Sequence, residues 1–277
     1  MPNNFHQYIE DVSDDIKTCL EGMGCQPILF VGSGLTKRYL SGPSWEELLQ
    51  QLADECPNID KRFAYYKQRY PELIDIGSVF SDSYNEWAWC EVENGFPAEL
   101  FESGNEPSIY FKYKISGVFN SLLQEMEIVN TNEIDLLRKI HPHSIITTNY
   151  DKLLESIYPE FTPIIGQKIL YANHGSIGEI LKIHGCCSNP KSIIINRDDY
   201  DDFIKKKKYL SAKLLTFFAE HPLLFIGYSA EDSNIKNILS DIDELLSENG
   251  DVIPNIYILE WTDKQNENEY PRRERLI

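Results

Sequence analysis

The sequence predicts an α/β protein: a mostly parallel sheet covered by helices on both faces and interrupted by an inserted helical module. Three observations carry this. Short apolar runs rich in β-branched residues recur at 28–31, 144–148, 163–165, 180–183, 193–195, 222–227 and 255–260, and runs of that length without alternation fit strands buried on both faces. Helical spacing fills the intervals between the later runs, at about 151–157, 200–219 and 233–247. From about 57 to 140 the apolar runs stop, and aromatic-rich helical patterns such as FAYYKQRY and IYFKYKISGVFNSLLQEM mark the insert.

Taken in order, residues 4–21 read as a helix leading into the strand at 28–31, which breaks at Gly32 and Gly34. A loop is expected next, then a helix announced by a capping box, Ser44 with Glu47 three residues on, and by Trp45, Leu48, Leu49 and Leu52 on one face. After the insert, each apolar run from 143 onward is followed by polar and glycine residues and then a helix, the last helix carrying Ile235, Ile238, Leu239, Ile242, Leu245 and Leu246 on one face. The run KKKK at 205–208 reads as a solvated helix face. The polar tail leaves two expectations open: the domain ends there, or the chain is the N-terminal part of a longer one.

Composition limits the function. A chain of 277 residues with 42% hydrophobic content can bury a full core. Its formal net charge of −18 opposes general binding to nucleic-acid backbones or anionic membranes, so an anionic ligand must be held locally by backbone N–H groups and helix ends. The acidic N-terminus lacks the apolar core of a signal peptide, and no apolar run approaches membrane-spanning length. The six cysteines form no regular framework, which fits reduced thiols and a cytoplasmic location.

In parallel α/β sheets ligands bind at the carboxyl ends of the strands. Four clusters sit there: GSGLT from Gly32, TTNYD from Thr147, KIHG from Lys182, and FIGYSAEDSNI from Phe225. Each has a structural reading of its own. The glycines can serve a tight turn, Asp151 can cap the following helix, and His184 can be a structural hydrogen-bonder. Gly32 and Gly34 also permit a close backbone approach to a pyrophosphate, although the third glycine of the dinucleotide fingerprint is replaced by Lys37.

In this order the four clusters resemble the glycine-rich, asparagine-aspartate, histidine-glycine and glycine-serine motifs of the sirtuin fold, a Rossmann-like sheet. The resemblance is strongest to bacterial sirtuin-like domains that hydrolyse NAD in antiphage defence. Deacylases of that fold carry a zinc ribbon of two Cys-x-x-Cys pairs after the histidine. Here only the adjacent Cys186 and Cys187 follow His184, so no such ribbon can form and no metal is expected.

The resemblance implies NAD as substrate and a catalytic set of Asn149, His184 and Asp151. Asn149 would hold the ribose or the attacking water, Asp151 would help orient the nicotinamide side or its ribose, and His184 would be the base. Gly32, Ser33, Gly34, Gly227 and Ser229 would line the phosphate and adenosine side, with Thr36, Thr148, Tyr150 and Tyr228 completing the cofactor-binding set. A homo-oligomer, restrained by assembly or by a partner such as a defence-system ATPase or a phage-derived trigger, is implied as well. The alternatives are a non-catalytic NAD or ADP-ribose sensor, an NAD-dependent deacylase and, least supported, a dehydrogenase.

Overall fold

The computed structural model describes residues 5–90, 95–124, 131–166, 177–203, 216–217, 220–227 and 255–259. Six strands form one sheet: β1 (Ile28–Val31), β2 (Ser144–Thr147), β3 (Thr162–Ile165), β4 (Glu179–Lys182), β5 (Leu223–Ile226) and β6 (Ile256–Leu259). Their order is β3-β4-β2-β1-β5-β6, and every pairing is parallel. β1, β2 and β4 are buried along their whole length, which is why they read as continuous apolar runs, whereas β3 at one edge is half open.

Register decides where the site falls. Ile28 pairs with both Ser144 and Leu223, and Ser144 pairs with Glu179, so β1, β2, β4 and β5 end level. The residues just past those ends therefore gather along one rim. The chain leaves β1 for the β2–β4 side and returns to β5 on the other flank, which makes the β1–β5 crevice the topological switch point.

Between β1 and β2 the described residues form helices only: α2 (Ser33–Leu40), α3 (Trp45–Glu55), α4 (Phe63–Arg69), α5 (Leu73–Cys90), α6 (Ile109–Gln124) and α7 (Thr131–Lys139), besides a 3-10 turn at Ala98–Phe101. They follow α1 (Phe5–Met23) and precede α8 (Leu153–Ile157). The α3 capping box forms as the sequence predicts, with the Glu47 N–H donating to Ser44 Oγ and the Ser44 N–H to the Glu47 carboxylate. Aromatic packing holds the helices together: Phe80 meets Tyr66 and Phe111 edge-on, and buried Tyr84 satisfies its hydroxyl on the Leu52 carbonyl at 2.8 Å. The same apolar cluster takes in Tyr150, Cys186 and Cys187, so the helices form a wall of the strand-end rim.

Two sequence expectations are corrected. The stretch after Gly32 is the helix α2, not a loop. Glycine at its second position would argue against a helix, but Leu35, Thr36, Tyr39 and Leu40 bury one face, and that packing outweighs propensity. The apolar run at 193–195 is not a strand. Ile193 and Ile195 pack into the helical cluster instead, and α5 approaches so closely that a Cβ on Gly77 would lie 2.1 Å from the Ile195 carbonyl oxygen. Ion pairs fasten this segment: buried Lys112 reaches Asp199 at 2.5 Å, and Arg197 reaches Asp75 and Glu72, each at 2.6 Å. The expected helix at 233–247 and the lysine run at 205–208 lie outside the described residues.

Candidate functional site

The glycine motifs of β1 and β5 interlock. Gly34 donates its N–H to the Gly227 carbonyl at 2.7 Å, and Gly32 donates to Ile226 at 3.0 Å. A Cβ on Gly34 would stand 2.8 Å from both the Cα and the carbonyl oxygen of Gly227, and Gly227 itself sits at φ +62°. Only glycines allow the two strand ends to meet this closely. Because α2 opens at Ser33, its positive end faces the switch-point crevice, a setting that favours anionic groups.

The asparagine-aspartate motif is wired to the same turn. Thr147 donates to the Val31 carbonyl at 2.8 Å and accepts the Asn149 N–H at 3.0 Å, which fixes the chain as it leaves β2. The Asn149 amide nitrogen donates to the Gly32 carbonyl at 2.9 Å and to Thr36 Oγ1 at 3.0 Å. Thr36 in turn donates to Asp151 Oδ2 at 2.5 Å, and Asp151 Oδ1 accepts the Leu153 N–H at 2.8 Å at the start of α8.

The polarity of this chain follows from hydrogen-bond chemistry. A backbone carbonyl only accepts, so the Asn149 atom facing Gly32 is the amide nitrogen. A carboxylate oxygen likewise accepts, and with Thr36 donating its one proton to Asp151 the hydroxyl accepts from Asn149. Both Asn149 N–H bonds are thereby used. Its Oδ1 is the group left to offer to the cavity.

His184 follows β4 and is buried, its ring edge-on to Phe203 at 6.0 Å. Its carbonyl accepts the Ile194 N–H at 3.0 Å, and Tyr150 Oη donates to the Ile194 carbonyl at 2.6 Å. The turn directly after it requires glycine, since Gly185 has φ +95° and a Cβ there would lie 2.2 Å from the Ser192 carbonyl oxygen.

One cavity of about 620 Å³ brings Ser33, Thr36, Thr148, Asn149, Tyr150, Asp151 and His184 into its walls. Gly32, Gly34 and Gly227 form the interlocked turn that flanks Ser33 and are not themselves among the lining residues; Tyr228 and Ser229 lie outside the described residues. Trp45, Phe119 and Tyr200 also line the cavity, and the sequence reading missed them as site residues. The sequence places Trp45 only on one face of a helix; its position beside the capping Ser44, where α3 opens after the glycine motif, is the one signal that points to it. A larger cavity of about 1020 Å³ between α6 and residues 189–203 holds none of the predicted site residues. Among the described residues no group of three or more His, Cys, Asp or Glu side chains is placed to hold a metal ion, and no helix is long and apolar enough to cross a membrane.

Comparison with known proteins fits this geometry. Residues 143–276 match the SIR2-like domain. The chain carries a SIR2-like domain. Over 230 residues it is 28% identical to defense-associated sirtuin 2 of Bacillus subtilis, covering 76% of this chain and 23% of that protein. It is 30% identical over 213 residues to the NAD(+) hydrolase ThsA of Enterococcus faecium, covering 68% of this chain and 43% of that protein. For the ThsA of Bacillus cereus the figures are 29% over 221 residues, 77% and 39%. The chain thus spans less than half the length of these relatives.

Proposed function

We infer that this chain hydrolyses NAD at the bond between nicotinamide and ribose, giving nicotinamide and ADP-ribose. The observation that carries the reading is the locked amide of Asn149: its nitrogen is held by Gly32 and Thr36, and the residue lines the same cavity as His184, which leaves Oδ1 as the acceptor for a ligand there. Nicotinamide leaves NAD as a neutral molecule, so departure needs no acid. The site has to orient the ribose and a water, and a base has to take the water's proton. An acceptor oxygen suits both tasks, because a ribose hydroxyl and a water are donors. His184 is the base, imidazole being the side chain whose ordinary pKa lies nearest neutrality. Asp151 acts one bond further back: its carboxylate is committed to Thr36 and Leu153, so it orients Asn149 through Thr36. The Gly32–Gly34 turn with the start of α2 takes the pyrophosphate.

The named activity of the ThsA relatives supports the substrate, and the name of the defence-associated relative supports a role in defence, which we assign to depletion of NAD in infected cells. Such an activity must be restrained, which we assign to oligomer assembly or a partner protein. The deciding experiment incubates the chain with NAD, alone and with neighbouring gene products, and follows both products. Release of nicotinamide and ADP-ribose that is lost in His184→Ala supports the reading. Saturable NAD binding without release under every condition would replace it with the sensor reading.

A further inference from the structure

β4 ends in a lysine whose side chain is wholly buried. Lys182 is 0% exposed, and its ammonium donates to the main-chain carbonyl of Asp151 and to the Glu155 carboxylate at 3.2 Å. Burying an ammonium costs more than burying an apolar side chain of the same length, and the two residues before it in the strand are Ile180 and Leu181. A strand end that needed only packing would be served by a third apolar residue.

What the ammonium reaches is the peptide that aims the Asp151 side chain. From there the bonds run without a gap: Lys182 to the Asp151 carbonyl, the Asp151 carboxylate from Thr36 at 2.5 Å, Thr36 from Asn149 at 3.0 Å, and Asn149 to Gly32 at 2.9 Å. We propose that Lys182 is a positioning residue for the reacting end of the site, holding the Asp151 peptide so that Thr36 and Asn149 keep their polarity and Asn149 Oδ1 stays aimed into the cavity. Its catalytic consequence rests on the hydrolase reading above. Its structural consequence does not.

Glu155 is the counter-ion rather than the target of this arrangement. It lies on α8, whose Leu153 N–H is already taken by Asp151 Oδ1, and its carboxylate meets the Asp151 carbonyl through Lys182. Burial pulls the Lys182 ammonium down, but Glu155, Cys186 and Asp151 outweigh it and hold its pKa above the ordinary lysine value, so the charge is present at neutral pH. The two partners of an ordinary structural pair would matter equally. A positioning lysine makes them unequal.

The test uses that asymmetry in the 277-residue chain. The side-chain amide signals of Asn149 are assigned by their loss in Asn149→Ala, and their hydrogen-exchange rate is measured together with nicotinamide release and melting temperature. Glu155→Gln, which keeps an acceptor for Lys182, should lower the melting temperature and leave both Asn149 exchange and kcat within about threefold of wild type. Lys182→Met combined with Glu155→Gln, which leaves no unpaired buried charge, should speed Asn149 exchange by about tenfold or more. It should cut kcat by roughly 10- to 100-fold with little change in KM, the scale expected when a reacting group is misplaced by about an ångström. Lys182→Arg, which keeps the charge and shifts the donors, should fall between. Equal effects of Glu155→Gln and the double variant on Asn149 exchange would overturn the proposal, as would a folded double variant whose Asn149 exchange is unchanged. If the double variant does not fold, Glu155→Gln against Lys182→Arg decides it: faster exchange in Glu155→Gln than in Lys182→Arg overturns the assignment. A wild-type chain that releases no nicotinamide sinks the hydrolase reading alone, because the exchange measurement still reads the relay.

Discussion

Replacing Thr36 by valine removes one hydroxyl and almost nothing else, and the structure assigns that hydroxyl two partners. Thr36, Asn149 and Asp151 are all buried, so the lost hydroxyl is not simply replaced by bulk water. Thr36→Val strands an Asn149 N–H and an Asp151 carboxylate oxygen. An unsatisfied buried neutral group costs about 1–3 kcal/mol and a charged one more, so the sum is about 3–5 kcal/mol. Thr36→Ser keeps the hydroxyl and loses one methyl group, about 1 kcal/mol. At roughly 2–4 °C per kcal/mol for a chain of this size, the valine variant should melt roughly 6–20 °C below wild type and the serine variant only a few degrees below. Differential scanning calorimetry without ligand measures this directly. With the Asn149 amide released, nicotinamide release per folded molecule should fall on the order of 100-fold in Thr36→Val and stay near wild type in Thr36→Ser. A valine variant that melts with the serine variant and turns over NAD at the same rate would show that the hydroxyl orients nothing.

His184→Ala should fold and lose about 10²- to 10⁴-fold in nicotinamide release; combined with Asn149→Ala it should cost much less than the product of the two single losses, as read by steady-state kinetics. Gly34→Ala drives a Cβ to 2.8 Å from the Gly227 backbone, so a loss of about 1–3 kcal/mol is expected together with weaker ADP-ribose binding by calorimetry. At the other end of the sheet, burial and the neighbouring His221 ring hold the His143 pKa below its ordinary value. The unfolded chain therefore takes up this proton first, and the stability His143 allows is complete above about pH 6.5 and lost as pH falls below it. His143→Phe keeps the ring contact and should flatten the fall in melting temperature between about pH 7 and pH 5.5.

The strands were legible because each is a short apolar run, and the central strands β1, β2 and β4, buried along their whole length, permit little else. Residues 33–40 were not, because a glycine inside eight residues looks like a break; the contact that makes it tolerable, Gly34 against Gly227, joins positions far apart in sequence. The run at 193–195 misled in the opposite sense, since β-branched residues also pack against helices, as Ile193 and Ile195 do. Asn149, Asp151 and His184 lie at strand ends and were picked out as a set through the resemblance of their clusters to the sirtuin motifs, and all three line one cavity. The link between them could not. The Thr36–Asp151 bond spans 115 positions, and nothing in the sequence marks Lys182 as wholly buried.

The helix-cap reading and the functional reading of Asp151 are two oxygens of one carboxylate. Oδ1 takes the Leu153 N–H and starts α8; Oδ2 takes the Thr36 hydroxyl and so dictates that Thr36 accepts from Asn149. The cap holds the carboxylate still, and a carboxylate that cannot turn is what makes the direction of the next two bonds certain. Stability and orientation are therefore not separable at this rim. Asn149→Ala also strips donors from the Gly32 carbonyl and from Thr36, so substitution there lowers stability as well as rate. A residue past the end of a buried strand has left the apolar core, but here it has entered a buried polar network whose members each have one arrangement that satisfies all the others.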